Sequence, residues 1–340
     1  MKNESSMELS RDGIRQLSLT SEEISIVKKA FHCASKTLDE IVAPNLCEHL
    51  IDPNQDSYSC SGYHPLGGTL SSKYNKYREG FVFSNGEIFD LQTDSNDHFG
   101  DTMRETGSVL HSLAMKAVAE VESTLGLPAN YIQDTYGKDV SLAHSSQWHL
   151  KRYSASAGHD DGDLALGVHT DPSILSVVVH DSPTLEPGGW GLQYSQKLDG
   201  PRTDSGISIE WNEPPYHGHG VATVMIGSAF ARIMQVGDNV SKNEKVRQLR
   251  RLYPPCRHRV VMSTDATEHL GRQRMALTYF LRPSPLSILT PLPIFLELNV
   301  RQPRKKLTFG SWYKKVSSNY SRSRAKTKQN SSILVAVDSY

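Results

Sequence analysis

The sequence has few cysteines, and no two of them are separated by only two residues. Four of the 340 residues are cysteine, and they are widely scattered along the chain: Cys33, Cys47, Cys60 and Cys256. Zinc ribbons contain closely spaced cysteine pairs, and disulfide-stabilised small proteins contain many more cysteines. The pattern therefore argues against a zinc ribbon and a dense disulfide framework, and it favours a reducing compartment.

The sequence also has no excess of one charge and no long apolar run. Lysine plus arginine and aspartate plus glutamate number 37 each, so the formal net charge is zero. Such a protein is not drawn to nucleic acid or anionic lipid by its overall field. No run of about 18 apolar residues occurs, and the polar segment 1–16 lacks the apolar region of a signal peptide. We predict a cytoplasmic monomer whose partner is a small molecule, with no nucleic-acid or membrane partner.

Two amphipathic helices are predicted in the first half of the chain. Apolar residues recur at helical spacing from Ile24 to Leu38 and again from Met103 to Leu125, where Gly126 ends the second pattern. Residues 1 to about 18 are expected to form a loose leader. The stretch 52–101 is rich in Ser, Gly, Asn and Asp, which indicates loops and short extended segments.

From Gln147 onward the pattern changes to short runs rich in β-branched and aromatic residues between turn residues. Several such strands suggest a jelly roll, in which two sheets enclose an interior that can hold a small ligand. The predicted strands are 147–154, 165–168, 173–180, 190–195, 207–211, 221–227, 259–264 and 275–282.

These patterns divide the chain into three predicted segments. Residues 1–146 form a helical and loop-rich region that supports the core, 147–284 form the catalytic core, and 285–340 form an extension with a disordered basic end. Two polar insertions, 197–206 and 236–255, interrupt the core. The second contains a basic run that we interpret as a solvated loop or helix, because no aromatic residues that could stack on bases are interleaved with it.

The central motif of the core is His169-Thr170-Asp171, followed by Pro172. Side chains two residues apart in a strand lie on the same face, and a proline disfavours the helical conformation for the residue before it. His169 and Asp171 can therefore point to one centre. Two histidines and one carboxylate with open coordination positions are the metal site of non-haem Fe(II) oxygenases, so a third ligand is needed.

Downstream residues offer candidates for that ligand and for a cosubstrate site. His258 begins a strongly strand-like run, and Arg274 begins another. An inward arginine needs an anionic partner, and guanidinium binds carboxylate through two parallel hydrogen bonds, which suggests an acidic cosubstrate. Other histidines compete for the metal at this stage: His159, His180, His217 and His219.

Four stretches in order resemble the iron(II)- and 2-oxoglutarate-dependent dioxygenases, in the branch of the plant flavonoid and hormone oxygenases and the isopenicillin N synthase-like enzymes. They are Leu150–Tyr153, Leu164–Asp171, Gly191–Gln193, and His258–Val261 followed by Arg274. The resemblance covers roughly residues 147–284. In that family the distal histidine follows a pair equivalent to Ile226-Gly227, so the resemblance favours His258 over His217 and His219. Because they lie in loop sequences, we expect His159, His217 and His219 to be exposed. His180 ends a predicted strand and is expected to be a core or rim histidine.

The resemblance implies that His169, Asp171 and His258 ligate Fe(II), and that Arg274 and Tyr153 bind the far carboxylate of 2-oxoglutarate. It further implies a double-stranded β-helix core with helical flanks. The expected activity is the oxidation of a small organic molecule by hydroxylation or desaturation, with O₂ and 2-oxoglutarate as cosubstrates.

The chain departs from the family pattern at three positions. Ala276 stands where the family has the serine of Arg-x-Ser, Lys151 stands where an asparagine is common, and Ser228 stands where an aspartate is expected. A lost neutral hydrogen bond contributes about 0.5 to 1.5 kcal/mol, so Ala276 alone should weaken 2-oxoglutarate binding without abolishing it. Two alternatives follow: an isopenicillin N synthase-like oxidase without 2-oxoglutarate, and a catalytically silent relative that binds a small molecule or partner.

Each motif also has a purely structural interpretation. An isolated His-x-Asp such as His169-Thr170-Asp171 commonly reflects a surface histidine beside a capping aspartate. Arg274 can form a structural ion pair, and Tyr153 can be an ordinary aromatic residue of a strand.

Overall fold

The computed structural model describes most of the chain, and its fold is mainly antiparallel sheet with helices on one side. The described residues are 7–40, 61–66, 78–84, 86–89, 98–153, 164–182, 185–188, 191–195, 202–203, 206–207, 210–234, 244–261, 274–298 and 306–317. Most of the predicted insertion 197–206, much of the predicted strand 207–211, His159, Cys47, Cys60 and the chain after residue 317 lie outside these ranges.

The helices differ greatly in length. The two long ones are α2 (Ser21–Glu40) and α3 (Phe99–Thr124). They cover the two amphipathic patterns that the sequence predicts, and they pack against each other. None of the helices in the described part of the chain combines the length and apolar character needed to cross a bilayer. The helices are α1 (Leu9–Asp12), α2 (Ser21–Glu40), α3 (Phe99–Thr124), α4 (Tyr131–Tyr136), α5 (Leu142–Ser145), α6 (Ser228–Met234), α7 (Glu244–Arg251), α8 (Pro293–Glu297) and a last helix over 309–317.

Most strands belong to two sheets. The large sheet has seven strands in the order β1-β12-β6-β14-β4-β3-β2, and the small sheet has three in the order β5-β13-β8. The strands are β1 (Ile14–Ser18), β2 (Gly62–His64), β3 (Arg78–Ser84), β4 (Gln147–Tyr153), β5 (Leu164–His169), β6 (Leu175–His180), β7 (Glu186–Pro187), β8 (Leu192–Ser195), β9 (Arg202–Thr203), β10 (Gly206–Ile207), β11 (Tyr216–His217), β12 (Val221–Ile226), β13 (Arg257–Val261) and β14 (Arg274–Leu281).

Alternation along the central strands separates a helix-facing core from an inner cavity. Val177 and Leu277 belong to the main apolar core with α2 and α3, whereas Val178 and Ala276, one residue away in each strand, line the cavity between the sheets. Leu166 and Val260 from the small sheet pack against Ala276. The two sheets therefore enclose the cavity in the manner of a jelly roll, and the predicted double-stranded β-helix class is confirmed.

The start of the chain differs from the prediction of a loose leader over residues 1–18. Residues 9–12 form α1, and β1 follows and pairs with β12 at the edge of the large sheet. Ile14 is fully buried there. The prediction was wrong because five residues with two apolar side chains give a weak periodic signal, and the strand is stabilised by a partner more distant in sequence.

The second polar insertion contains α7 over its basic run. Glu244, Lys245 and Arg247 are exposed, and Val246 points into the protein. The described part of the basic run therefore forms a helix with an exposed charged face, as the charge pattern predicts.

Candidate metal centre

Three predicted ligands come together at the end of the cavity between the sheets. His169 ends β5 and His258 lies directly opposite it in β13, with ring centroids 4.2 Å apart. Asp171 follows two residues after His169. One ligand atom from each residue lies within 4.8 Å of the others, and no other group of this kind occurs among the described residues.

Backbone carbonyls fix the orientation of both imidazoles. The Nδ1 atom of His169 lies 2.7 Å from the carbonyl oxygen of Gly167, and Nδ1 of His258 lies 3.2 Å from that of Cys256. A carbonyl only accepts, so each Nδ1 carries a proton, and each Nε2 is the ring nitrogen that faces Asp171. Burial is the main cause that lowers the pKa of His258 to about 4, so its ring is neutral at pH 7. Histidines in metal sites are held in this way.

Asp171 supplies the carboxylate between the two rings. Its Oδ1 lies 3.4 Å from Nε2 of His169 and its Oδ2 lies 3.7 Å from Nε2 of His258. Burial by itself raises the pKa of Asp171, but the charges of the two histidines and hydrogen bonds from His169 and Ser176 lower it, so the net pKa lies below its ordinary value. The buried Oδ2 has no hydrogen-bond donor among the described residues. A cation would satisfy this oxygen, so the donor set fits a divalent metal bound by two imidazoles and a carboxylate.

Ser228 supports the loop that carries Asp171. Its backbone N–H and its hydroxyl both donate to the carbonyl oxygen of Asp171, at 2.7 and 3.0 Å. The residue that departs from the family pattern at this position therefore still stabilises the backbone of the carboxylate ligand.

Arg274 lies in the wall of the same cavity, on the first residue of β14. Its guanidinium lies over the ring of Tyr153, 4.7 Å from the centroid, and its Nη1 donates to the carbonyl oxygen of Val261 at 3.4 Å. Burial lowers its pKa to about 10, so it stays charged at pH 7. Its enclosed Nε has no acceptor among the described residues, and Glu213, the described carboxylate that acts on its pKa, forms no ion pair with it. The structural ion pair considered for Arg274 is therefore not found among the described residues.

Gly191 makes room for this guanidinium. Its φ angle is +77°, and a Cβ atom built on it would lie 2.6 Å from Nη1 of Arg274 and 2.4 Å from the carbonyl oxygen of Val261. The Gly191–Gln193 stretch is part of the family resemblance, but the sequence alone assigns it no physical role. The structure supplies one, because a side chain at this position would displace the cation.

Other polar residues of the cavity were not assigned a role from the sequence. One row of paired residues crosses five strands of the large sheet in the order His180, Ala276, Lys151, Gly80 and His64. His180 and Lys151 are buried and line the cavity. Alternation along β4 and β6 places both on the inner face, but only the register shows that they flank Ala276.

His217 and His219 are buried, so the prediction that they are exposed loop residues was wrong. Nε2 of His219 lies 2.8 Å from Oδ1 of Asp181, and its ring stacks on Phe31 of α2. Nδ1 of His217 donates to the carbonyl of Gly188 at 2.8 Å. The loop folds back against α2 and the end of β6, a tertiary contact that a Pro- and Gly-rich sequence does not reveal.

Solved structures with the same fold include three proteins of different origin. A full-length Neurospora crassa protein, solved in complex with alpha-KG, matches with a TM-score of 0.62 and 15% identity over 91% of this chain and 87% of its own. The dioxygenase for auxin oxidation of rice matches with a TM-score of 0.57 and 17% identity over 94% of this chain and 87% of its own. A putative 2OG-Fe(II) oxygenase family protein of Caulobacter crescentus matches with a TM-score of 0.60 and 16% identity over 91% of this chain and 90% of its own.

Sequence comparison alone does not reach these proteins. No protein-family model matches the chain, and no curated protein matches it either. At such low identity the structural similarity speaks for the fold, and the family resemblance seen in the sequence is confirmed at that level. The chain has the fold of the 2OG-Fe(II) oxygenases.

Proposed function

We propose that this protein is an Fe(II)- and 2-oxoglutarate-dependent dioxygenase that hydroxylates or desaturates a small organic molecule. The observation that carries the proposal is the His169, Asp171 and His258 cluster, which shares one enclosed cavity with the cation of Arg274. The Neurospora crassa protein that shares this fold is solved with alpha-KG, which supports the choice of cosubstrate.

In this proposal each residue has a separate task. His169, Asp171 and His258 would hold the metal through two imidazole nitrogens and a carboxylate oxygen. Arg274 donates hydrogen bonds to the far carboxylate of 2-oxoglutarate, and Tyr153 supports the guanidinium and binds the same group. Bound Fe(II), with 2-oxoglutarate and O₂, supplies the oxidising chemistry.

The test is an anaerobic titration of the Fe(II)-loaded protein with 2-oxoglutarate. We expect a metal-to-ligand absorption band to grow with 2-oxoglutarate, and succinate to form when O₂ and substrate are added. His169→Ala and Asp171→Ala should abolish both, whereas His98→Ala should leave both unchanged, because His98 is exposed and distant in sequence from the cluster. Unchanged succinate formation in both ligand variants would sink the proposal.

Because Ala276 replaces the serine of the family pattern, two other functions are considered. If the protein is an isopenicillin N synthase-like oxidase, it binds Fe(II) but gives no band with 2-oxoglutarate. If it is a silent binding relative, it binds iron and consumes no O₂ with any of a broad panel of small organic acids, amines and phenols. The monomeric state, the cytoplasmic location and the three-segment division of the chain remain predictions.

A further inference from the structure

Ala276 leaves the cosubstrate end of the cavity without the hydroxyl that the family sequence pattern contains at this position. It lies two residues after Arg274 on β14, so both side chains face the cavity. The methyl group of alanine neither donates nor accepts a hydrogen bond. Even with Tyr153 of β4 binding the same carboxylate as Arg274, that carboxylate has lone pairs left for a further donor on the neighbouring strands.

His180 lies directly across from Ala276 on β6. It is only 4% exposed, and it lines the cavity together with Arg274. Burial and, next, the charge on Arg274 lower the pKa of His180 well below its ordinary value. The imidazole is therefore neutral at pH 7, close enough to the guanidinium to sense its charge, and has one N–H to donate.

Lys151 flanks Ala276 on the other side but is directed elsewhere. Its Nζ lies 3.0 Å from Nδ1 of His64 and 3.5 Å from the carbonyl oxygen of Gly80, both on strands beyond β4. The ammonium thus lies over β3 and β2, away from β14. Of the two neighbours of Ala276, His180 is the one whose pKa is lowered by the charge of Arg274, after burial and ahead of His217.

We infer that His180 donates, beside Arg274, the hydrogen bond to the far carboxylate of 2-oxoglutarate that Ala276 cannot provide. This inference rests on the proposed function, because it assigns a residue to the same cosubstrate. It makes His180 a binding residue, and it explains how the chain can use 2-oxoglutarate without the serine of the family pattern.

The test is the dissociation constant of 2-oxoglutarate in the anaerobic Fe(II) protein, read from the absorption band and needing no turnover. His180→Leu should raise Kd about 10-fold or more, because a hydrogen bond to a charged group is lost. Adding Ala276→Ser to His180→Leu should restore Kd to within about 3-fold of wild type. A residue with a merely structural role would not be rescued in this way.

His149→Leu is the matched control, because it removes another histidine from the cavity wall one row further along β4. Ala276→Ser should not improve 2-oxoglutarate binding in that background. Ala276→Ser in the wild-type protein should change Kd by less than about 2-fold, a measurement that does not depend on the folding of a His180 variant. A tightening of about 10-fold there would show that the donor was missing, and would overturn the inference.

Failure of the inference and failure of the proposed function give different results. If wild-type protein with Fe(II) develops no band with 2-oxoglutarate, the proposed function fails. If the band forms and folded His180→Leu binds 2-oxoglutarate as tightly as wild type, only the role of His180 is refuted.

Discussion

Gly191 has no side chain, and this leaves the space that the guanidinium of Arg274 occupies. We predict that Gly191→Ala raises the dissociation constant of 2-oxoglutarate about 10-fold or more, because the new Cβ would lie 2.6 Å from Nη1 of Arg274. The anaerobic absorption titration measures this change.

Gly126→Ala is the control for this prediction. Gly126 also has a positive φ angle, +65°, but a Cβ there meets no atom within 4 Å. Both variants incur the backbone cost of about 1 to 2 kcal/mol in the left-handed region. Only Gly191→Ala should affect 2-oxoglutarate binding, and equal Kd values in the two variants would contradict the role of Gly191.

Among single residues, the sequence could predict the proximity of side chains that are close along the chain. It could not predict the proximity of side chains that are brought together by the pairing of distant strands. His169 and Asp171 are two residues apart, so strand geometry alone brings them together, as the structure shows. His180 stands far from Ala276 in sequence, and only the pairing of β6 with β14 makes them neighbours.

The first strand, β1, is stabilised by contacts with strands that are distant in sequence. Ile14 of β1 is fully buried against Val178, Leu192 and Met225, between the two sheets. We predict that Ile14→Ala lowers the free energy of unfolding by about 2 to 5 kcal/mol, as is typical for buried aliphatic side chains. Urea unfolding followed by circular dichroism measures it.

Arg15→Ala is the control in the same strand. The side chain of Arg15 is 38% exposed and forms an ion pair with Glu120. Surface ion pairs contribute about 0 to 1 kcal/mol, so this variant should lose little stability. If the two variants lose the same amount, β1 does not contribute to the core as its burial indicates.

Elements with a long periodic pattern could be predicted, and short edge elements could not. The stripe from Met103 to Leu125 spans about six turns, and α3 begins four residues before it and ends one residue before its last member. β1 has only five residues, and its hydrogen bonds are made with β12. The same reason explains the two buried histidines that precede β12, because His219 packs against Phe31 of α2 and His217 against His180 of β6.

The whole molecule contains several histidines held in their neutral form. Burial is the main cause that lowers the pKa of His64 to about 2, and burial also lowers the pKa values of His149 and His180 well below 6.5. The unfolded chain binds protons at these sites below about pH 6.5, whereas the folded protein does not. The free energy of unfolding should therefore decrease as the pH is lowered below about 6.5. The expected decrease is about 1 kcal/mol per histidine between about pH 6 and pH 5.

Urea unfolding of the metal-free protein at about pH 7, 6 and 5 measures this dependence. His149→Leu should reduce the slope between about pH 6 and 5 by about one proton, because it removes one such site. A free energy of unfolding that stays constant over this range would show that these rings are already protonated in the folded state.

The pairing of β1 with β12 also has a consequence for biosynthesis. Ile14 lies opposite Met225, so the partner of β1 is made roughly 200 residues later. At about 5 to 20 residues per second, the ribosome needs about 10 to 40 s for this interval. Throughout that time the nascent strand has no native partner. Its polar residues Arg15, Gln16 and Ser18 keep it hydrated and disfavour pairing with other chains until β12 emerges.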